Sequence, residues 1–437
     1  MKELILHKSN IAKKNIIVAL YLYLALLFFE GAIRRWMLPQ LSGPLLLIRD
    51  PVAIYIIYMA FRYRFIQWNV YLFLILIIAF ISFYTTIYLG HGNIYIALYG
   101  LRIFLFHFPL IFIIEKVFRQ TDFERIAYWT IILSIPMLLL IIFQFYSPQN
   151  AWINKGLGDN MEGAGFIGAK GYFRPPGTFS FTNGLVLFFT YVSVFVFWGL
   201  TNQLKIPKWL LILALFCVFI SIPFSISRTL FFSIGATFIF YLFTLIKNSY
   251  LFWRLSLISI FSVLLLVYLS NADFFSTSID VFRERFEKAN ESEGGIEGVV
   301  LNRFLGSISN SLDLSSELPF WGYGLGLGTN VGSLLNTGQL QFIISEGEWG
   351  RVIGEMGALL GISFILIRIF LALKMIRISF RGYMNGSFLP LLLLFHCIFN
   401  IVLGQWAQPT TLGFSIFFGG MLMASKNFQT DDSFAES

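Results

Sequence analysis

Charge is scarce in this chain. Only 12% of its 437 residues are Asp, Glu, Lys or Arg, roughly half the share of an ordinary soluble domain. A water-facing fold of this length needs more charged surface, so a soluble multidomain protein is excluded. Cysteine occurs twice, at Cys217 and Cys397, both inside apolar runs, which argues against a disulfide framework and a thiolate metal site. Histidine occurs four times, at His7, His91, His107 and His396, without the spacing of a ligand set. Neither a metal nor another cofactor is expected, and each histidine reads as a hydrogen-bonded helix residue. No small-x-small cleavage site follows the first apolar run, so an uncleaved first helix is expected.

Apolar types fill the space. They make up 57% of the chain, Phe alone occurs 51 times, and the mean hydropathy is +0.76. That composition predicts an all-α, polytopic membrane helix bundle forming a single integral membrane domain over 1–437. About 20 apolar residues cross a hydrocarbon layer, and on that measure twelve segments qualify: 15–33, 44–61, 68–88, 94–114, 126–146, 178–199, 209–225, 229–246, 255–270, 351–373, 388–404 and 409–425. The second is the weakest, because Asp50-Pro51 interrupts it and predicts a broken or partly re-entrant helix.

The formal net charge of +8 reads as loop cations, which makes nucleic acid a poor partner. Short loops on the side of the amino terminus collect Arg62, Arg64, Lys116, Arg119, Arg125, Lys205, Lys208, Lys247, Arg254, Lys374, Arg377 and Arg381. The positive-inside rule therefore places both termini in the cytoplasm. A long extracytoplasmic loop, 271–350, then separates the ninth and tenth spans, with amphipathic helix expected at 279–290 and 300–313.

Against this bias several arginines stand outside. Arg34, Arg35 and Arg49 lie on the first loop, Arg174 precedes two prolines, Arg228 closes a tight turn, Arg303 lies in the long loop, and Arg351 opens the tenth span. The long loop itself carries eleven acids against four Lys and Arg, so bulk charge does not explain anion binding there. Individual guanidiniums would have to converge. Their planar fork pairs bidentately with phosphate oxygens and keeps its charge. Glu30, Asp50, Glu346, Glu348 and Glu355 are the acids available to balance them, and plain ion pairing is their simplest role. Arg102 sits inside the fourth span, where it should face the bundle or a wet cavity. The run Pro319-Phe-Trp-Gly322-Tyr-Gly324-Leu-Gly326-Leu-Gly328 lacks the strand and helix of a nucleotide loop, and its glycines read as close backbone approaches.

The segment Arg174-Pro-Pro-Gly-Thr-Phe-Ser-Phe-Thr-Asn183, the Ser227-Arg228 turn, and a late loop carrying Arg303, Pro319, Gly322, Gly324 and Gly326 before Glu355, Gly357 and Gly361 resemble the O-antigen polymerase and ligase superfamily. The opening Phe29-Glu30-Gly-Ala-Ile-Arg34-Arg35-Trp36 with Arg49-Asp50-Pro51 is similar to a bacterial subgroup of polymerase-like proteins. The resemblance implies a metal-independent glycosyltransferase of the GT-C type at the outer face of the bacterial inner membrane. Its substrates would be undecaprenyl-diphosphate-linked glycans, and its other partners membrane lipids and a chain-length regulator. Ligases of that superfamily usually carry a histidine in the long loop; 271–350 has none, which favours a polymerase. In that reading Arg174, Arg228, Arg303 and Arg351 grip the diphosphate and Glu348 aids the acceptor hydroxyl. Arg34, Arg35, Asp50, Arg102, Asn183 and Glu355 support them. A ligase and a lipid-linked glycan flippase are the alternatives.

Overall fold

The computed structural model describes residues 2–159, 163–201, 204–245, 273–293, 318–338, 344–345 and 347–428. These residues form a helix bundle with a single two-residue-strand hairpin. In chain order the helices are α1 (Lys2–Ala32), α2 (Asp50–Arg62), α3 (Val70–Tyr88), α4 (Ile94–Arg102), α5 (Leu110–Val117), α6 (Gln120–Tyr146), α7 (Thr182–Thr201), α8 (Lys208–Ser225), α9 (Arg228–Leu245), α10 (Asp273–Glu293), α11 (Asn330–Thr337), α12 (Glu348–Met384), α13 (Leu389–Val402) and α14 (Pro409–Ala424). Strands β1 (Phe166–Ile167) and β2 (Phe173–Arg174) pair antiparallel.

Nine helical segments among the described residues are long and apolar enough to cross a membrane. They coincide with nine of the twelve expected spans. Two more expected spans correspond to α13 and α14, of 14 and 16 residues, which at 1.5 Å per residue fall short of a ~30 Å core. The expected span 255–270 and the expected helix 300–313 lie outside the described residues. The other expected loop helix, 279–290, falls within α10.

Local sequence explains several boundaries. Asn69 caps α3 by accepting from Leu72 N at 3.1 Å, and Asn93 caps α4 by accepting from Tyr95 N at 3.0 Å, both favoured N-cap arrangements. The expected break near Asp50-Pro51 appears as a 3-10 turn over Pro44–Leu47 followed by α2, with Pro51 in its first turn where a missing N–H costs nothing. Two π turns, Ile33–Met37 after α1 and Ile103–His107 between α4 and α5, each add a residue to the local winding.

The core is built on the helices that are apolar all round. Every residue of α14 is buried, and nearly all of α7, as expected for helices enclosed by others. Tyr191 of α7 stacks on Phe418 of α14 with centroids 3.5 Å apart and on Phe414 at 5.7 Å. By contrast α2 and α3 expose Phe61, Phe73, Phe80 and Tyr84 on the outside of the bundle. Residues 33–49, 89–93 and 320–328 gather at one end of the bundle, here the upper end; residues 63–69, the end of α5 and Ser425–Asn427 lie at the lower end.

Within α12 the chain turns back on itself. Gly357 adopts φ 76° and ψ 170°, a region essentially reserved for glycine. A straight helix would separate Glu348 from Arg368 by about 30 Å, yet Arg368 Nη1 lies 2.6 Å from Glu348 Oε1. The first arm, 348–356, therefore folds down along the second, 358–384. The glycine-rich loop runs beside this arm: Tyr323 N donates to Gly354 O at 2.8 Å, Gly324 N to Glu355 O at 3.0 Å and Gly328 N to Glu355 Oε1 at 2.9 Å. A Cβ on Gly326 would lie 2.2 Å from Ile96 O, so its glycines serve close approach to α4 and α12.

Candidate functional site

Two buried polar networks face each other across the segment that joins α13 to α14. The first grows from the end of α1. Glu30 and Arg34 are four apart on the helix, and Arg34 Nη1 donates to Glu30 Oε1 at 3.0 Å and to Ser180 Oγ at 3.0 Å. Arg49 approaches the other oxygen, Glu30 Oε2, at 3.4 Å. Arg49 also donates to Pro409 O at 2.5 Å and to the Tyr23 hydroxyl at 3.4 Å. The chain of contacts continues through Tyr23 to His107 Nδ1 at 2.9 Å, through His107 Nε2 to Asp50 Oδ1 at 3.0 Å, and from Asp50 to Arg102 Nη1 at 2.9 Å. Arg102 lies 4.0 Å above the Tyr99 ring. Both π turns belong to this network: one carries Arg34 and Arg35, the other follows Arg102 and ends in His107.

The second network occupies the α12 hairpin. Glu348 receives Arg351 Nε and Nη2, each at 3.0 Å, Arg368 Nη1 at 2.6 Å, and Trp406 N at 3.2 Å. Arg351 also donates to Glu355 Oε2 at 2.7 Å. Arg368 lies 4.1 Å over the Trp406 ring and donates to Ile401 O and Gly404 O. A small cavity of about 20 Å³, the space of a single water, opens beside Glu348, Arg351, Gly328, Gln405 and Gln408.

The two networks meet at the start of α14. Arg49 reaches Pro409 from one side and Glu348 reaches Trp406 from the other, while the Trp406 and Phe108 rings lie 6.1 Å apart. Among the described residues of the two networks, six buried guanidiniums, Arg34, Arg35, Arg49, Arg102, Arg351 and Arg368, stand against four buried carboxylates, Glu30, Asp50, Glu348 and Glu355. Among the described residues, Arg35 Nη1 and Arg102 Nε have no hydrogen-bond partner. Buried donors normally find one, so these mark places suited to a polar or anionic ligand.

The Arg-Pro-Pro-Gly segment is fastened to the same region. Gly177 N donates to Gln144 Oε1 at 2.8 Å, Gly177 O accepts from Gln144 Nε2 at 3.2 Å and from Arg35, and Thr178 Oγ1 donates to Phe28 O at 2.6 Å. Asn183 donates to Thr411 of α14 at 2.9 Å. Arg174, half-buried on β2, and Arg228, partly buried at the start of α9, lie on neighbouring segments, because Gly168 of the hairpin packs against Ile226.

Of the expected site residues, Arg34, Arg35, Asp50, Arg102 and Asn183 therefore surround the start of α14 on one side, and Glu348, Arg351 and Glu355 on the other. Arg303 lies outside the described residues. Arg351 differs from expectation in its setting. It is not a cation at the outer mouth of a span but is turned inward by the Gly357 reversal and neutralised by Glu348 and Glu355. Glu348, expected as a base, has both oxygens engaged in the same ion pairs, as the simplest sequence reading of these acids held. Arg368, Tyr23 and the part played by His107 escaped sequence reasoning. Arg368 carried a usable signal, since a cation inside an apolar run is what marked Arg102. Compared with family models, with curated proteins and with solved structures, the chain matches none.

Proposed function

We propose that the protein is a membrane glycosyltransferase that polymerises undecaprenyl-diphosphate-linked oligosaccharide repeats. In this reading the chain has twelve spans, its termini are cytoplasmic, and the upper end of the bundle faces the extracytoplasmic side of the bacterial inner membrane. The single observation that carries the proposal is the excess, among the described residues, of buried guanidinium over carboxylate around the start of α14. Unbalanced cations below a membrane surface are costly without an anion, and a lipid-linked diphosphate supplies one at that depth.

The chemistry follows from that electrostatic arrangement. Arg174 and Arg228 reach the diphosphate from the neighbouring segments, as in the sequence reading that also assigns Arg303 to it. Guanidinium contacts strengthen as charge grows on the departing diphosphate oxygen, which stabilises the transition state. A diphosphate that draws Arg351 toward itself releases one side of Glu348, whose carboxylate then accepts the acceptor hydroxyl's proton. The sugar acceptor attacks the anomeric carbon, the glycosidic bond forms, and polyprenyl diphosphate leaves.

The test is chain growth by the purified protein in liposomes supplied with a polyprenyl-diphosphate-linked repeat. Wild type is expected to build lipid-linked ladders, and Arg174→Lys to lose roughly 10²- to 10³-fold in rate, the usual cost of one preorganised donor. Transfer to a different acceptor would instead identify a ligase. A second reading, lipid-linked glycan export, is favoured by the buried Tyr23–His107–Asp50–Arg102 chain, since such chains also line proton pathways. Translocation without ladder formation would establish it in place of the polymerase.

A further inference from the structure

At the lower end of the bundle, remote from the arginine networks, a cavity of about 250 Å³ is lined by Trp68, Asn69, Glu115, Lys116, Lys374 and Lys426. Its walls come from four separate parts of the chain: the α2–α3 loop, the end of α5, the second arm of α12 and the turn after α14. Glu115 organises the cations. Its Oε1 contacts Lys426 Nζ and lies 4.0 Å from Lys374 Nζ, while Asn427 Nδ2 donates to its backbone carbonyl at 2.8 Å. Lys374 is further held 5.5 Å from the centre of the Tyr71 ring. Three ammonium groups against one carboxylate leave two positive charges on the cavity. The N-terminus of α3, capped by Asn69, points its positive end there as well.

We propose that this cavity is a binding site for the phosphate headgroup of an anionic phospholipid. Four features identify the ligand chemistry. The surplus charge asks for an anion, and three lysines suit a phosphate held as a point charge more than a planar bidentate partner. The volume exceeds that of a single water many-fold, leaving room for a headgroup. The location is the end of the membrane-crossing helices, where basic pockets between helices take up phospholipid headgroups. Trp68, two-thirds exposed at the rim, is the ring type that anchors at the level of headgroups. The site is independent of the polymerase reading, since it shares no residue with either arginine network.

Native mass spectrometry of the delipidated full chain, titrated with phosphatidylglycerol, phosphatidylcholine or inorganic phosphate, tests the proposal. Phosphatidylglycerol is expected to bind at least about tenfold more tightly than phosphatidylcholine, with each of Lys116→Gln and Lys426→Gln losing about fivefold. The triple variant that adds Lys374→Gln should lose the selectivity, and Lys208→Gln, an exposed lysine elsewhere, should keep it. Glu115→Gln removes the competing carboxylate and should tighten phosphatidylglycerol binding by about fivefold, a gain that misfolding cannot produce. Equal affinity for the two lipids, or selectivity that survives the triple variant, overturns the proposal. Displacement of the lipid by inorganic phosphate at equal concentration also overturns it and makes the site one for a soluble anion.

Discussion

Replacing Glu348 by Gln probes the centre of the α12 hairpin with almost no change of shape. In the wild type its network is balanced: Arg351 and Arg368 face Glu348 and Glu355, and all four side chains are buried. The variant leaves two guanidiniums with one carboxylate. It also turns an amide N–H₂ toward donors that formerly found an acceptor at 2.6 to 3.0 Å. Removing one partner of a buried ion pair typically costs about 3–5 kcal/mol, mostly because the other charge is left uncompensated. Glu348→Gln should lose stability of that order in SDS titrations of the detergent-solubilised protein. Adding Arg368→Met restores the charge balance and keeps an apolar stem against Trp406, so the double variant should recover part of the loss, with a coupling energy of about 2–3 kcal/mol. A coupling under about 0.5 kcal/mol would refute the argument that the two side chains stabilise one another. The same pair of variants separates structure from chemistry. Should the folded double variant still be slower in chain growth by about 10²- to 10⁴-fold, Glu348 acts as a base in addition to its structural part; recovery of the rate along with the fold confines it to the ion pair.

Two further predictions concern the backbone. Gly357→Ala puts a Cβ 2.0 Å from Phe320 O at a φ of +76°, so the hairpin should open or the protein fail to accumulate; at least about 1–3 kcal/mol of strain is expected, read in the same SDS titration. Gln144→Ala removes the two hydrogen bonds that Gln144 makes to Gly177 and leaves the one from Arg35. A loss of about 1–3 kcal/mol is expected, together with faster proteolysis within 163–178; unchanged protection there would show that Arg35 and Thr178 suffice to hold the segment.

The sequence made the bundle legible because membrane spans announce themselves by length and apolarity, signals that need no knowledge of neighbours. It also paired acids with arginines correctly in part: Glu348, Arg351 and Glu355 stand at helical spacings, and Glu30 stands four before Arg34. What it could not convey was direction. An arginine at the start of an apolar run looks the same whether the helix leaves the membrane there or doubles back, and only the φ of Gly357 decides. The Asp50–Arg102 and Tyr23–His107 contacts span 52 and 84 residues and were invisible for the same reason. Their π turns add a residue of winding that helical periodicity does not forecast. Arg368 was readable as an anomaly, but its partner Glu348 lies twenty positions away, beyond any pairing rule for a straight helix.

The reversal at Gly357 also bears on topology. Gly322 lies against Gly357, and Gly328 against Arg351, so the chain descends beside the arm that climbs from Glu348. The arm therefore contributes no traverse of its own. Parity, which decides on which side of the bilayer the last helix ends, is indifferent to it. Hydropathy profiles that fuse the arm with the helix beyond it thus count the same number of crossings while misjudging how deep the first charged residues lie.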